Sequence, residues 1–445
     1  VGRARFGTDG IRGVANGDLT AELALALGRA AATVIGDVGF VVGRDTRRSG
    51  PMLQSALAAG LASEGADVID VGVISTPGVA YCAASRGLAG AVISASHNPF
   101  EDNGIKLFAP GGGKLTFDVE REIEQLLDAP GRTAVSGPVG GITTDESGAA
   151  EYVEHLAGAL FGRRLDGLSI VLDCANGAAS LVAPAVAAAL GAEIRTIACD
   201  PDGLNINDGC GSTHPEALAR EVRASGADLG LAFDGDADRV VAVDHLGEVA
   251  DGDTMLALFA LDLAERKELT GDAVAVTVMS NYGFRLAMAE RGITVIETPV
   301  GDRSVLAAVE EHGLALGGEQ SGHVVFRRLA TTGDGILTGL LLADLVKRRG
   351  EPLADLTRGL VWRVPQVLVN VPVLDPAKLA SATAVWEEVA LVEEELGDAG
   401  RVLLRSSGTE PLVRVMVEAV SEDQAIASAR RLGAVVAAAL GTDRR

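Results

Sequence analysis

GFVVGRDTRRSGPMLQSALAAGLASEGADVIDV, residues 39–71, changes periodicity twice within one stretch. A β-branched run at 39–44 reads as a strand. The Ala/Leu-rich segment near 51–64 repeats at helical spacing and stops at Gly65, and 66–71 reads as a strand again. Strand, helix, strand is the grammar of α/β domains. The order recurs as a strand at 168–173, a helix near 178–190, Gly191 and a strand at 192–197. It recurs again as 273–278, a helix near 282–291, Gly292 and 293–298. The copies are too long and too sparse for a solenoid, so three similar α/β domains in tandem are expected. The tail departs from this: strand 367–373, helix 376–396, strands 401–405 and 412–418, helix 422–440, which together read as a small α+β domain. Linkers expected near 130–150, 250–254 and 363–367 divide the chain into 1–150, 151–253, 254–366 and 367–445.

The 445 residues suit three or four domains at roughly 100–200 residues each. Hydrophobic residues make up 48% but aromatics only 3%, so the cores must be built from Ala, Val, Leu and Ile. With 38 basic and 61 acidic residues the net charge is −23, which repels nucleic acid and anionic membranes. It repels a phosphorylated substrate too, so any phosphate site must gather its own cations. Cys82, Cys174, Cys199 and Cys210 show no C-x-x-C spacing and read as buried thiols of a reducing compartment. The most apolar stretches, 179–190 and 433–440, are short of the roughly 18 residues that a span needs. The start of the chain carries no apolar signal core. A cytoplasmic protein is expected.

Asp234-Gly235-Asp236-Ala237-Asp238-Arg239 lies between apolar strands expected at 228–233 and 239–243. Carboxylates at every second position repel unless a cation sits among them, and hard oxygen ligands suit Mg²⁺ or Ca²⁺. An EF-hand is excluded, because position six is Arg239 and position twelve is His245. Ser94-Ala95-Ser96-His97-Asn98-Pro99 follows the apolar run 89–93, on a loop at a strand's C-terminal end, where open α/β sheets place ligands. Adjacent loop residues rarely face each other and no G-x-S-x-G elbow exists, so a Ser/His hydrolase is disfavoured. Lys106 is expected on the same excursion. Arg405-Ser406-Ser407-Gly408-Thr409-Glu410-Pro411, with Arg414 beyond, combines hydroxyls, backbone N–H groups and guanidinium forks suited to a phosphate, without Walker spacing. Gly318-Glu319-Gln320-Ser321-Gly322-His323 could hydrogen-bond sugar hydroxyls. In isolation it reads as a surface turn, as does Gly7-Thr8-Asp9-Gly10-Ile11-Arg12-Gly13.

Together and in order, FGTDGIRG (6–13), ISASHNPFEDNGIK (93–106), DCANGA (173–178), FDGDADR (233–239), GEQSGH (318–323), TTGDG (331–335) and RSSGTEP (405–411) resemble the α-D-phosphohexomutase superfamily across nearly the whole chain. Within it the sequence looks most like the bacterial branch that acts on glucosamine phosphates. The resemblance implies three similar α/β domains and a C-terminal α+β domain similar to the TATA-binding-protein fold, around a central cleft. It implies that Ser96 carries a phosphate, and that Asp234, Asp236 and Asp238 hold Mg²⁺ with that phosphate as a further ligand. Glu319 and Ser321 match sugar-hydroxyl contacts. Arg405, Ser407, Gly408, Thr409 and Arg414 match a phosphate clamp. Arg12, Lys106 and His323 match groups near the transferring phosphate, and His97 adjoins the carrier. Arg239 matches an arginine beside the metal loop. A hexose 1,6-bisphosphate would serve as primer and intermediate, and a homodimer is compatible with the resemblance. Ser304, where an aromatic residue is usual, and Ser406, where a longer one is, depart from the pattern. The rival readings are a glucose or mannose phosphate mutase, a sugar phosphatase, and a sugar- or metal-binding module without catalysis.

Overall fold

The computed structural model describes residues 5–7, 9–36, 38–129, 137–406 and 411–441. The chain divides into two compact units, Val1–Met279 with Ile293–Leu360, and Ser280–Gly292 with Val361–Arg445.

The first unit begins with β1 (Ile11–Val14), α1 (Ala21–Ile35), β2 (Phe40–Arg44), α2 (Gly50–Ser63), β3 (Val68–Val73), α3 (Thr76–Arg86), β4 (Ala89–Ile93), β5 (Asp102–Phe108), α4 (Phe117–Asp128) and β6 (Ile142–Thr144). Its sheet runs β1-β5-β4-β2-β3-β6. Then follow α5 (Gly148–Gly158), β7 (Ser169–Asp173), α6 (Ala179–Ala189), β8 (Glu193–Ile197), α7 (Glu216–Ser225), β9 (Leu229–Phe233), β10 (Val240–Asp244), β11 (Val249–Ala250) and α8 (Gly252–Glu265). This second sheet runs β11-β10-β9-β7-β8. The third, β13-β12-β14-β15, is built from β12 (Ala273–Thr277), β13 (Thr294–Thr298), β14 (Leu316–Gly318) and β15 (Val324–Phe326). The helices of this stretch are α9 (Tyr282–Ala289), which falls in the second unit, α10 (Asp302–Glu311), α11 (Gly335–Arg349) and α12 (Leu353–Thr357).

The repeat read from periodicity is also a topological one. In each sheet a central strand (β2, β7 or β12) has a parallel neighbour on either side, and one of these is followed by an antiparallel return strand. The turnings are β4 to β5, β9 to β10 and β14 to β15, so the serine, aspartate and Glu319 loops occupy equivalent places. All three strands feeding these loops are buried along their length, which makes them rigid supports. In the same segment as the first sheet, α1 and α2 pack so closely that a Cβ on Gly28 would lie 2.3 Å from the Leu57 carbonyl oxygen, and one on Gly60 2.2 Å from that of Leu25.

The second unit contains β16 (Gln366–Pro372), α13 (Thr383–Leu396), β17 (Gly400–Ser406), β18 (Leu412–Ala419) and α14 (Glu422–Leu440), with an antiparallel sheet β16-β18-β17. Val385, Val389, Leu432 and Val436 of the helices share one core with Val413, Val415 and Val417 of the sheet. Glu418, fully buried, accepts from Arg401 Nε at 2.6 Å and from Asn281 Nδ2 at 2.9 Å.

Three expectations differ from what is observed. The strand expected at 66–71 begins at Val68, because Gly65 turns with φ +94° and Ala66 N–H still bonds the Leu61 carbonyl. The helix expected at 376–396 is broken: Ala382, with ψ 77°, separates a 3-10 turn at Pro376–Ser381 from α13. Lys106 sits within strand β5, where it pairs with Val92, rather than on a loop.

Candidate active site

Ser96 caps the buried strand β4 in a left-handed conformation, φ +52°. Such a conformation is rare for a residue with a side chain. The turn buries the residue completely and aims its hydroxyl at the metal loop, where Oγ donates to Asp234 Oδ2 at 2.5 Å. It also brings Oγ within 3.2 Å of His97 Nδ1, against the expectation that adjacent loop residues diverge. Burial, with the Arg239 and Arg12 charges behind it, lowers the His97 pKa to about 4, so its ring is neutral at pH 7.

Asp234, Asp236 and Asp238 are all buried, and one carboxylate oxygen from each lies within 4.8 Å of the others. Period-2 spacing alone would splay them. The hairpin between β9 and β10, with Ala237 at φ +55°, gathers them. Gly235 fits because its missing Cβ would lie 2.6 Å from the Ser96 carbonyl. Asp236 Oδ2 accepts from Lys106 Nζ at 2.8 Å and Thr76 Oγ1 at 2.6 Å, while its Oδ1 is buried with no hydrogen-bond partner among the described residues. Burial, then the Asp238 and Asp236 charges, raises the Asp234 carboxyl well above its usual range. Asp238 goes the other way despite burial, because Lys106, His323 and Arg239 hold it low. Oxygen donors, an unpartnered buried oxygen and mutual repulsion together fit a hard divalent cation.

Lys106 also reaches Asp238 Oδ2 at 3.2 Å and Asp9 Oδ1 at 3.0 Å. Burial opposes its charge, but these three carboxylates keep it a firm ammonium. Arg12 pairs with Asp9. Arg239 donates its backbone N–H to Asp234 Oδ1 at 3.1 Å, and its Nη1 lies 3.4 Å from His97 Nδ1. His323 is buried with Nδ1 3.8 Å from Asp238 Oδ1 and Nε2 3.9 Å from Asp302 Oδ2; burial opposes its charge, but Asp238 raises its pKa above the ordinary value. Glu319 Oε1 accepts from Gly301 N–H at 3.2 Å, and the exposed Ser321 donates to Glu319 Oε2 at 3.4 Å.

The fold therefore brings Ser96, His97, Lys106, Arg12, the three aspartates, Arg239 and His323 into one charged cluster. It adds residues that the sequence reading passed over. Asp9 lies in the GTDG stretch; Asp302 lies in GDR (301–303); Lys114 pairs with Asp302; Thr76 opens α3. Only Asp9 stood in a quoted motif as a charged residue, and nothing in the spacing pointed to the other three. In the second unit Arg405 and Arg414 face each other across β17 and β18. Burial and the Arg414 charge lower the Arg405 pKa. Ser407, Gly408 and Thr409 lie outside the described residues.

A hydroxyl beside a buried carboxylate triad, on equivalent loops of two of the three repeated α/β sheets, suits phosphoryl transfer. Family models for phosphoglucomutase/phosphomannomutase match in order: domain I at 3–133, domain II at 150–247, domain III at 251–363 and the C-terminal domain at 368–432. The chain belongs to this family, the α-D-phosphohexomutases. Its relatives narrow the branch to the bacterial phosphoglucosamine mutases. The phosphoglucosamine mutase of Streptomyces coelicolor is 54% identical over 98% of this chain and 99% of its own. That of Salinispora tropica is 54% identical over 96% and 97%. A solved phosphoglucomutase/phosphomannomutase family protein from Burkholderia thailandensis superposes with a TM-score of 0.81 at 29% identity, covering 97% of each chain.

Proposed function

We infer that the chain interconverts glucosamine 6-phosphate and glucosamine 1-phosphate, as a phosphoglucosamine mutase, with Ser96 as the phosphate carrier. The observation that carries the chemistry is the buried Ser96 hydroxyl 2.5 Å from the first of three clustered, buried aspartates. The choice of sugar rests on the relatives.

Mg²⁺ bound by Asp234, Asp236, Asp238 and the Ser96 phosphate would neutralise charge on the transferring group. In the first transfer the bond from phosphorus to Ser96 Oγ breaks and one forms to O1 of the 6-phosphosugar, giving the 1,6-bisphosphate. The proton released by the attacking hydroxyl ends on Ser96 Oγ. In the second transfer the bond from phosphorus to O6 breaks as one forms to Ser96 Oγ, leaving the 1-phosphosugar, and the Ser96 hydroxyl proton passes to O6. His97 Nδ1, neutral and 3.2 Å from Oγ, is placed to relay it. Lys106, held as an ammonium by its three carboxylate neighbours, stabilises charge together with Arg12, Arg239 and His323. Glu319 and Ser321 orient sugar hydroxyls, and Arg405, Ser407, Gly408, Thr409 and Arg414 take the phosphate that is not being transferred.

No described helix is long and apolar enough to cross a membrane. We place the reaction in the cytoplasm, where its product would feed UDP-N-acetylglucosamine synthesis, and assign the enzyme as a homodimer, which sedimentation would check. The decisive test compares kcat/KM for glucosamine, glucose and mannose 6-phosphates with Mg²⁺ and bisphosphate primer, alongside Ser96→Ala. The reading requires preference for glucosamine 6-phosphate by orders of magnitude and near-complete loss in the variant. Equal use of glucose or mannose would overturn the substrate, and a fully active Ser96→Ala the mechanism.

A further inference from the structure

Beneath the nucleophile lies a buried ion pair that the transfer chemistry does not use. Arg47 is 1% exposed and Asp45 0%. Arg47 Nε donates to Asp45 Oδ2 at 2.8 Å. Its Nη2 donates to the carbonyl oxygens of Ser96 at 2.9 Å and Asn98 at 2.8 Å. Its Nη1 donates to the carbonyl oxygens of Asp102, at 3.0 Å, and Pro99. Four carbonyls of the serine loop thus converge on one guanidinium. Asn207, from the second α/β segment, donates Nδ2 to the same Ser96 and Asn98 carbonyls at 2.9 and 3.0 Å. Asp45 Oδ2 in turn accepts from Ser94 Oγ at 2.6 Å, and Ser94 Oγ accepts from Ser96 N–H at 2.9 Å. Both backbone groups of Ser96 are therefore tied to one Asp–Arg pair, its carbonyl directly and its N–H through Ser94.

Left alone, this loop would relax. A left-handed serine is unfavourable, and carbonyl oxygens pointed at one spot repel. A buried ion pair is also a poor device for stability in general, since well-packed apolar residues usually do as well or better. What it supplies is geometry. A planar fork with five donors can satisfy Asp45 and four carbonyls at once; the three donors of a lysine ammonium cannot.

We propose that Arg47, backed by Asp45, is a positioning residue for phosphoryl transfer: it holds Ser96 in the left-handed turn that aims Oγ at Asp234. This rests on the reading of Ser96 as the phosphate carrier. It bonds the backbone carbonyls of the loop and not Oγ, so it should govern the rate of transfer without touching the sugar or the cation.

The test uses the full chain as Arg47→Lys, Arg47→Ala and Asn207→Ala, with Ser96→Ala in parallel. For each, kcat, KM for glucosamine 6-phosphate, the Mg²⁺ concentration for half activation and phosphoserine content by intact mass are measured per folded molecule. Arg47→Lys is expected to lower kcat by about 10²-fold, the usual penalty for a misplacement near 1 Å, with KM and Mg²⁺ requirement unchanged. Added guanidinium, but not ammonium, should recover part of the activity of Arg47→Ala. Wild-type kcat in Arg47→Lys, or a loss confined to KM or Mg²⁺ affinity, overturns the proposal. If neither arginine variant accumulates folded protein, Asn207→Ala decides by the same criteria, since it loosens the same two carbonyls without exposing a buried charge. An active Ser96→Ala would remove the carrier itself; an inactive Ser96→Ala beside a fully active Arg47→Lys would remove this inference alone.

Discussion

Thr76 touches neither sugar nor phosphate in the proposed chemistry, yet its hydroxyl donates to Asp236 Oδ2 at 2.6 Å and its backbone N–H to the Asp236 carbonyl at 2.9 Å. Groups that orient metal ligands in this way typically change affinity or activity by about 10- to 100-fold when lost. Thr76→Val should therefore raise the Mg²⁺ concentration for half activation by about that factor, measured by titrating activity. Asp334 makes a second prediction at this scale. Burial pushes its carboxyl from 3.8 up to about 6, although the Leu337 N–H and the Tyr152 hydroxyl, at 2.6 Å, pull the other way. The folded state thus binds this proton more tightly than the unfolded chain. The contribution is complete below about pH 4 and is lost as pH rises through about 6, and is worth roughly 3 kcal/mol. Asp334→Asn should lack that slope, so its melting temperature relative to the wild type should rise between pH 4 and pH 6. A constant difference across that window would refute the shift.

Among elements, the pair α1 and α2 is the clearest case of packing dictated by single atoms. Gly28 and Gly60 lie against carbonyl oxygens of the facing helix, at distances no Cβ tolerates. Alanine is the better helix former by about 1 kcal/mol, but backbone cannot move aside as a flexible side chain can. Overpacking of this kind costs about 1–3 kcal/mol. Gly28→Ala should lower the melting temperature while kcat per folded molecule stays at the wild-type value, since Gly28 meets only atoms of the facing helix. The three chemistry-bearing loops teach a related lesson. The strands feeding the first two, β4 and β9, were legible because they are apolar runs with turn residues at their ends; β14, only Leu316–Gly318 with two glycines, was not. The return strand β5 was not, because its sequence DNGIKLF begins with residues that normally mark turns. It is a strand because both neighbours, β4 and β1, supply ladder partners.

At the scale of the molecule, a chain of net charge −23 has to concentrate cations wherever it meets a dianionic sugar phosphate. In the second unit Arg405 stands directly opposite Arg414 on adjacent strands, at the proposed phosphate clamp. Arg405→Ala should raise KM for glucosamine 6-phosphate by about 10- to 100-fold, the loss of one charge-assisted contact, and should abolish any rise in melting temperature that inorganic phosphate produces in the wild type.

The sequence by itself determined the fold class and the three repeats with their distinct tail; its spacing marked the three aspartates as a candidate cation site, and only its resemblance to the family pointed to Ser96 as the proposed carrier. These are local matters: periodicity says which segments bury which face, and carboxylates two residues apart between apolar strands admit few explanations. Tertiary structure alone decided the partners. Lys106 meets Asp236, Asp238 and Asp9 only because three separate segments fold together. His97 turns back to Ser96 only because the loop is held at φ +52°. Arg47, which no motif singled out, sits under that loop because β2 ends beside β4 in the sheet. Side chains tens of residues apart carry no mark in sequence of where they will meet; their hydrogen bonds and charges are settled when the segments fold together and water is expelled from between them.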